Sequence, residues 1–472
     1  MKNVNLFSLL IVISISSNLF LNKLTAQTIS AGAYYSFFIC SNDNNAPWGW
    51  GVNQNGQLGN GTTTNRHVPV RTSNISNIIA ICGRQNHSIA LSGDSTVWSW
   101  GDNLTYGDLG DGTSTQRNSP VHVLGQGGVG FLSFIISISG GDYHSLAVKE
   151  NGTVWAWGRN SAGQLGDNTS TNRSTPVLVP GLSRIISVTG GGEFSLALDS
   201  TGNVFSSGNN SSGQLGIGST TNQHTFSQIY SLTGITAIGA GTLHSIALKN
   251  DSTVWTFGSN GYGQLGDSTT NDSSTPIKVK SLSGIIAIAA SGSHSMALKS
   301  DGTVWGWGDN QNGDIGDGTT IQRNYPVKID SLSGITSIAC GAFHGLALKN
   351  DGYVWAWGNN TDGQIGDNTQ TERDSPVQVK YLCSSLSVPE ETLDQEITVA
   401  PNPFNSFLNI SFSKEQKNIS IRIYNVLGEE VESLKFTGQN LSIGKGEMSS
   451  GIYLLQIEDN KNNISNKKII VQ

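Results

Sequence analysis

The sequence predicts an all-β chain: a seven-bladed β-propeller of about 50-residue repeats, followed by a small C-terminal β-sandwich. Three observations predict it. The motif W-x-W-G, intact or degenerate, ends at Gly51, Gly101, Gly158, Gly208, Gly258, Gly308 and Gly358, at spacings of 50, 57, 50, 50, 50 and 50. Each unit breaks into four short strand-like runs, and residues 28–383 carry no helical periodicity. Past residue 396 the motif stops and a different strand-and-turn pattern begins. Units that bury a face only against a neighbour must stack, and seven of them suit a closed ring. An open β-solenoid is the alternative.

Residues 1–26 read as a secretory signal peptide. Lys2 supplies the charge, Val4 to Leu21 the apolar stretch, and Thr25-Ala26 the small residues before Gln27. A membrane anchor is the competing reading, but Ser14, Ser16, Ser17 and Asn18 interrupt the stretch. No later apolar run approaches the ~20 residues that span a bilayer. Net charge is −7 and no long basic run occurs, which argues against nucleic acid as a partner. Only 13% of residues are charged, while 58 are Gly and 11 are Trp.

Residues 27–383 are the expected propeller. Residues 284–329 illustrate one unit. IIAIAA and HSMAL are strand-like, Asp301-Gly302 is a hairpin turn, TVWGWG alternates so that both Trp share a face, and YPVKI is a fourth strand with Pro at its entry. All eleven Trp lie in W-x-W-G, Trp98, Trp100, Trp155 and Trp157 among them. They read as packing between blades, each burying roughly 150–250 Å². Fourteen residues before the motif Gly stand His87, His144, His244, His294 and His344, replaced by Phe194 in the fourth unit. Groups related by a seven-fold axis lie too far apart to share a metal at ~2 Å, so these His read as structural. The fourth unit has lost both Trp, its His and its Pro, and should be the weakest.

The string GxxHSLAL…DGTVWAWGxNxxGQLGDGTTxxRxxPVxV resembles the regulator of chromosome condensation repeat over about residues 28–383. The resemblance implies a seven-bladed propeller whose function sits in its loops. The family's eukaryotic founder is a nuclear guanine nucleotide exchange factor for the GTPase Ran, and other members are secreted bacterial binding proteins. In the exchange factors, acidic residues just before the repeat His face the GTPase. Here only Asp142, with His144, keeps that pattern, and an exported protein would not meet Ran.

Residues 384–396 read as a linker and 397–472 as strands with turns between them. The latter segment resembles the C-terminal sorting domain of the type IX secretion system of Bacteroidetes. The matching residues are Pro401-Asn402-Pro403, Tyr424-Asn425 with Gly428, Gly451-Ile452-Tyr453 and Lys467-Lys468. It implies the type IX machinery as a partner and a secreted or outer-membrane surface-attached product.

Cys40 ends the second strand of the first unit and Cys383 closes the last, which makes them neighbours in a ring and an expected disulfide. No nucleophile elbow, HExxH, CxxC pair or P-loop occurs, so neither an enzyme nor a cofactor or metal is expected. GQGGVG, residues 125–130, fits GxGxxG but precedes a strand-like run, not a helix. Function then falls to positions that break the repeat. One set precedes the His: Tyr34, Asn86, Asp142, Tyr143, Glu193 and Phe343. A second follows W-x-W-G and includes Tyr106 and Tyr262. These are the candidates for binding an unknown protein or glycan. The sequence leaves open which face binds. An extracellular enzyme at the channel mouth and an exchange factor are the other readings.

Overall fold

We describe residues 29–383, 397–425, 430–446, 448–458 and 464–472 of a computed structural model. The expected signal peptide and linker lie outside them. The chain divides into two compact units, one ending at Leu382 and the other starting at Cys383.

The first unit holds seven four-stranded antiparallel sheets, each built from consecutive strands. The sixth is typical, with strands Ile285–Ser291, His294–Lys299, Val304–Gly308 and Arg323–Lys328. His294 pairs with Gly308, and Gly308 pairs with Arg323. The His, the motif Gly and the start of the fourth strand therefore share one end of every sheet. We call it the His end. The loops there join strands one to two and three to four.

Seven hydrophobic clusters each unite two successive sheets. One of them joins Ile29, Ala31 and Trp50 of the first sheet to Leu346, Val354 and Ile365 of the seventh. That contact closes the ring and excludes an open solenoid. In four of the five pairs both Trp pack on the preceding sheet, as Trp155 and Trp157 do on Ile89, Leu91 and Val97. The second Trp of the pair is fully enclosed, whereas Trp98, Trp305 and Trp355 are half-buried.

The proline does not stand at the strand entry. Pro326 lies inside Arg323–Lys328, and its equivalents lie likewise. The ladder explains why. Val327 pairs with Gly306 and Arg323 with Gly308, so the intervening residues form a bulge on an edge strand, where the missing N–H is not needed.

The fourth sheet compensates for its losses. A β-carbon on Gly59 would lie 2.7 Å from Trp100 Nε1, and the same packing recurs at Gly110, Gly266, Gly316 and Gly366. At Gly166 the Trp is replaced by Ser207, and the ring pressed on the glycine is Phe226, from the position that is Pro elsewhere. One departure fills the space opened by the other.

The second unit is one sheet of five strands. Phe407–Tyr424 is the long strand that pairs with three others. Phe404, Leu408, Ile410, Ile421, Leu455 and Ile469 form its core.

Candidate functional site

The repeat His are consumed by the frame. His144 Nε2 lies 2.8 Å from Ser195 Oγ of the next sheet, and Ser195 Oγ donates to Gln164 O at 2.7 Å. The hydroxyl has one proton and gives it to the carbonyl, so the His must donate from Nε2. The same relay joins His87 to Ser145, His244 to Ser295 and His344 to Ser36. The carbonyl usually takes a second bond, from the buried Trp of the next sheet, as Asp108 O does from Trp157 Nε1 at 2.9 Å. Burial holds these imidazoles neutral, with pKa values pushed down to about 3 for His87, His144, His244 and His344 and about 4 for His294. His294 is the exception in its bonding. Its Ser position in the next sheet is Gly345, and neither ring nitrogen has a partner.

The two variable sets meet at the His end. Tyr106, from the second sheet's strand-three loop, stands edge-on to Tyr143, which precedes His144, with centroids 5.6 Å apart. Arg159 lies over both rings, at 5.1 and 5.6 Å, and forms an ion pair with Glu193 at 2.5 Å. Across the ring closure Tyr34 stacks on Phe343 at 5.0 Å. Burial raises the Tyr34 phenol, helped by the nearby Asp362 charge. Tyr262 is 39% exposed at the same end. Neither it nor Asn86 joins these two clusters.

Sequence reasoning missed Arg84. Its Nε donates to Gly140 O at 2.6 Å, and a second guanidinium nitrogen donates to Gly190 O. With Gln85, Asp142, Thr242 and Ser291 it lines a small pocket on the ring axis. Asp142 is pushed up to about 6 by burial, against the pull of the Arg84 charge. The signal was legible: most units place Gly three residues before the His, as at Gly141, Gly191, Gly241 and Gly341.

A second unforeseen feature is a pair of buried acids. Five units carry Gln in G-Q-L/I-G, and its Oε1 accepts a loop N–H, as Gln164 does from Ala162 at 3.0 Å. Asp108 and Asp314 replace it in the second and sixth sheets, and both are buried. Burial and the neighbouring Asp102 push Asp108 up to about 8, partly offset by Arg159. Burial, Asp309 and Glu372 push Asp314 up to about 7. Asn312 stands beside Asp314, yet neither carboxylate oxygen has a hydrogen bond of normal geometry.

Among the described residues, no group of three His, Cys, Asp or Glu is placed to hold a metal ion. Cys40 and Cys383 are both disulfide-bonded, while Cys82 and Cys340 are free and buried. In the C-terminal unit the P-N-P turn clamps the last strand. Asn402 Nδ2 donates to Lys468 O, and Asn402 Oδ1 accepts from Ile470 N, both at 2.8 Å. Gly428 lies outside the described residues.

Comparison with known proteins agrees with this geometry. Residues 127–394 match the RCC1-like domain model, and residues 47–91 and 94–148 match the regulator of chromosome condensation (RCC1) repeat. Residues 398–472 match a secretion system C-terminal sorting domain. The human E3 ubiquitin-protein ligase HERC2 is 32% identical over 157 residues, 33% of this chain but 3% of that protein. The ultraviolet-B receptor UVR8 of Arabidopsis thaliana is 35% identical over 138 residues, 29% of this chain and 30% of the receptor. The chain thus spans under a third of either relative. Prp20p of Saccharomyces cerevisiae superposes with a TM-score of 0.62 at 23% identity, covering 74% of this chain and 87% of that one. Human WBSCR16 gives 0.60 at 21%, covering 70% and 92%. Those two likenesses show the fold. No helix among the described residues is long and apolar enough to cross a membrane. The sorting domain marks the protein for type IX export, to the cell surface or beyond. The chain belongs to the RCC1-like domain family and carries a secretion-system C-terminal sorting domain.

Proposed function

We propose that the mature chain is a non-catalytic binding module, which captures a protein or glycan ligand on the His end of the ring. One observation carries the reading. The recurring His, Ser and Trp of the repeat are spent on holding sheets together, while Tyr106, Tyr143, Tyr34 and Phe343, which break the repeat, gather at one end. Aromatic side chains at loop tips are the residues on which binding surfaces most often depend. Residues 1–26 serve as the signal peptide for the first membrane, and the sorting domain serves the second.

The test is capture from host or community extracts by the immobilised mature protein. Tyr143→Ala with Phe343→Ala should remove the captured species without lowering the melting temperature by more than a few degrees. Capture that survives both substitutions places binding elsewhere.

A further inference from the structure

We infer that the ligand captured at the His end is a polypeptide with a cationic, Lys- or Arg-rich surface. The inference rests on the reading of that end as the binding face, and goes beyond it in naming the partner's chemistry.

The ring sorts its charges between its two ends. All eight lysines of residues 29–383 stand at, or within two residues of, the ends of second or fourth strands, as Lys149 and Lys278 do. Those strand ends are opposite the His end. The His-end loops hold fourteen Asp and Glu against two basic residues, Arg84 and Arg159. Four of the fourteen are neutralised by arginines that begin fourth strands, such as Asp111 by Arg117 at 2.8 Å. Two more, Asp108 and Asp314, are buried. Of the other eight, Glu193 pairs with Arg159 and Asp142 lies beside Arg84, which leaves Asp102, Asp267, Asp272, Asp309, Asp362 and Glu372 against one further arginine, Arg66. The opposite end mixes ten Lys and Arg with eight Asp and Glu at its turns and strand ends. A surface with one sign of charge steers and retains partners of the other.

The His end also contains an example of the contact. Arg159 lies against the Tyr106 and Tyr143 rings with Glu193 at its tip. Aromatic faces backed by a carboxylate are a receptor for guanidinium or ammonium groups. Tyr34 and Phe343, with Asp362 nearby, repeat those ingredients without an arginine of their own. A neutral glycan could give hydrogen bonds to the acids but would gain no charge attraction from them, and a sulfated or uronic one would be repelled.

The experiment measures fluorescence anisotropy of a fluorescein-labelled twelve-residue Arg/Lys/Gly peptide on the mature full chain. Two triple variants carry the same change in charge. Asp309→Asn/Asp362→Asn/Glu372→Gln acts at the His end, and Glu150→Gln/Asp301→Asn/Asp351→Asn at the other. The His-end triple should weaken binding tenfold or more, and the other triple less than twofold. Raising salt from 50 to 200 mM should weaken wild-type binding at least tenfold. Equal losses in the two triples, or no binding at 50 mM salt, overturn the inference. If Phe343→Ala abolishes capture of a natural ligand that is insensitive to salt and to the His-end triple, the binding face stands and the cationic partner falls. A glycan identified as that ligand would do the same. If Phe343→Ala leaves capture intact, the binding face itself is wrong.

Discussion

Ser36 Oγ lies 2.8 Å from His344 Nε2 although 308 residues separate them. The bond is at the ring's closure, made by the same His-to-Ser relay that joins three of the interior sheet pairs, and Ser36 Oγ donates in turn to Gln364 O.

Ser36→Ala should therefore strand the buried N–H of His344 and lower stability by about 1–3 kcal/mol. His144→Phe should cost less, about 0.5–1.5 kcal/mol, because Ser195 keeps its bond to Gln164 O, as Ser245 keeps its bond to Gln214 O opposite Phe194. His294→Phe should be the mildest of the five His substitutions, within about 1 kcal/mol of wild type, because His294 has no partner to lose. Denaturant titrations of the three variants check the order.

Stability should pass through a maximum near pH 6.5. The five His are neutral in the fold, at about 3 or 4 against 6.5 unfolded. The unfolded chain binds more protons in that window, so stability is complete above pH 6.5 and falls as pH drops, on the order of 1.4 kcal/mol per pH unit for each His. The buried acids act oppositely. Asp108 and Asp314 stay protonated in the fold up to about 8 and about 7, so stability falls as pH rises from about 4 towards those values. Asp108→Gln/Asp314→Gln should raise the melting temperature at pH 8 and change it little at pH 4. Differential scanning fluorimetry from pH 4 to 9 reads both limbs.

The fourth sheet offers a double-mutant cycle. Ser207→Trp alone should overpack against Phe226 and cost about 1–3 kcal/mol. Phe226→Pro alone should leave a cavity and cost about 2–5 kcal/mol. Together they restore the arrangement of the other sheets, so the double variant should be milder than the sum of the two. Additive losses would mean that Phe226 and Ser207 are not exchanging the same space.

Non-reducing peptide mapping should recover Cys40 and Cys383 in one linked fragment and Cys82 and Cys340 as free thiols. A bond closing so long a loop stabilises by several kcal/mol in the chain-entropy account, so reduction should lower the melting temperature.

The ring was legible because its packing residues recur. Each unit must present the same Trp, His and Gly to its neighbour, and the period follows from that. The proline was misplaced because a missing N–H is equally tolerated at a strand entry and in an edge bulge, and only the ladder separates the two. The site was legible as a list of departures: Tyr34, Tyr106, Tyr143 and Phe343 all stand out against the repeat. Their meeting was not legible. Tyr106 reaches Tyr143 because the loop after the third strand turns back over the next sheet's His, and that path is set by buried Asn side chains such as Asn103. Arg84 was open to the same reading, as a departure from the glycine that most units carry three residues before the His.

The most direct test of a binding face at the His end is site-specific photo-crosslinking in the presence of the extract. A photoreactive phenylalanine replaces Tyr143 at the His end in one protein, and Tyr230, which is 82% exposed at the opposite end, in another. Adducts with a captured ligand should form from the Tyr143 position and not from Tyr230. Adducts from Tyr230 alone would contradict the account.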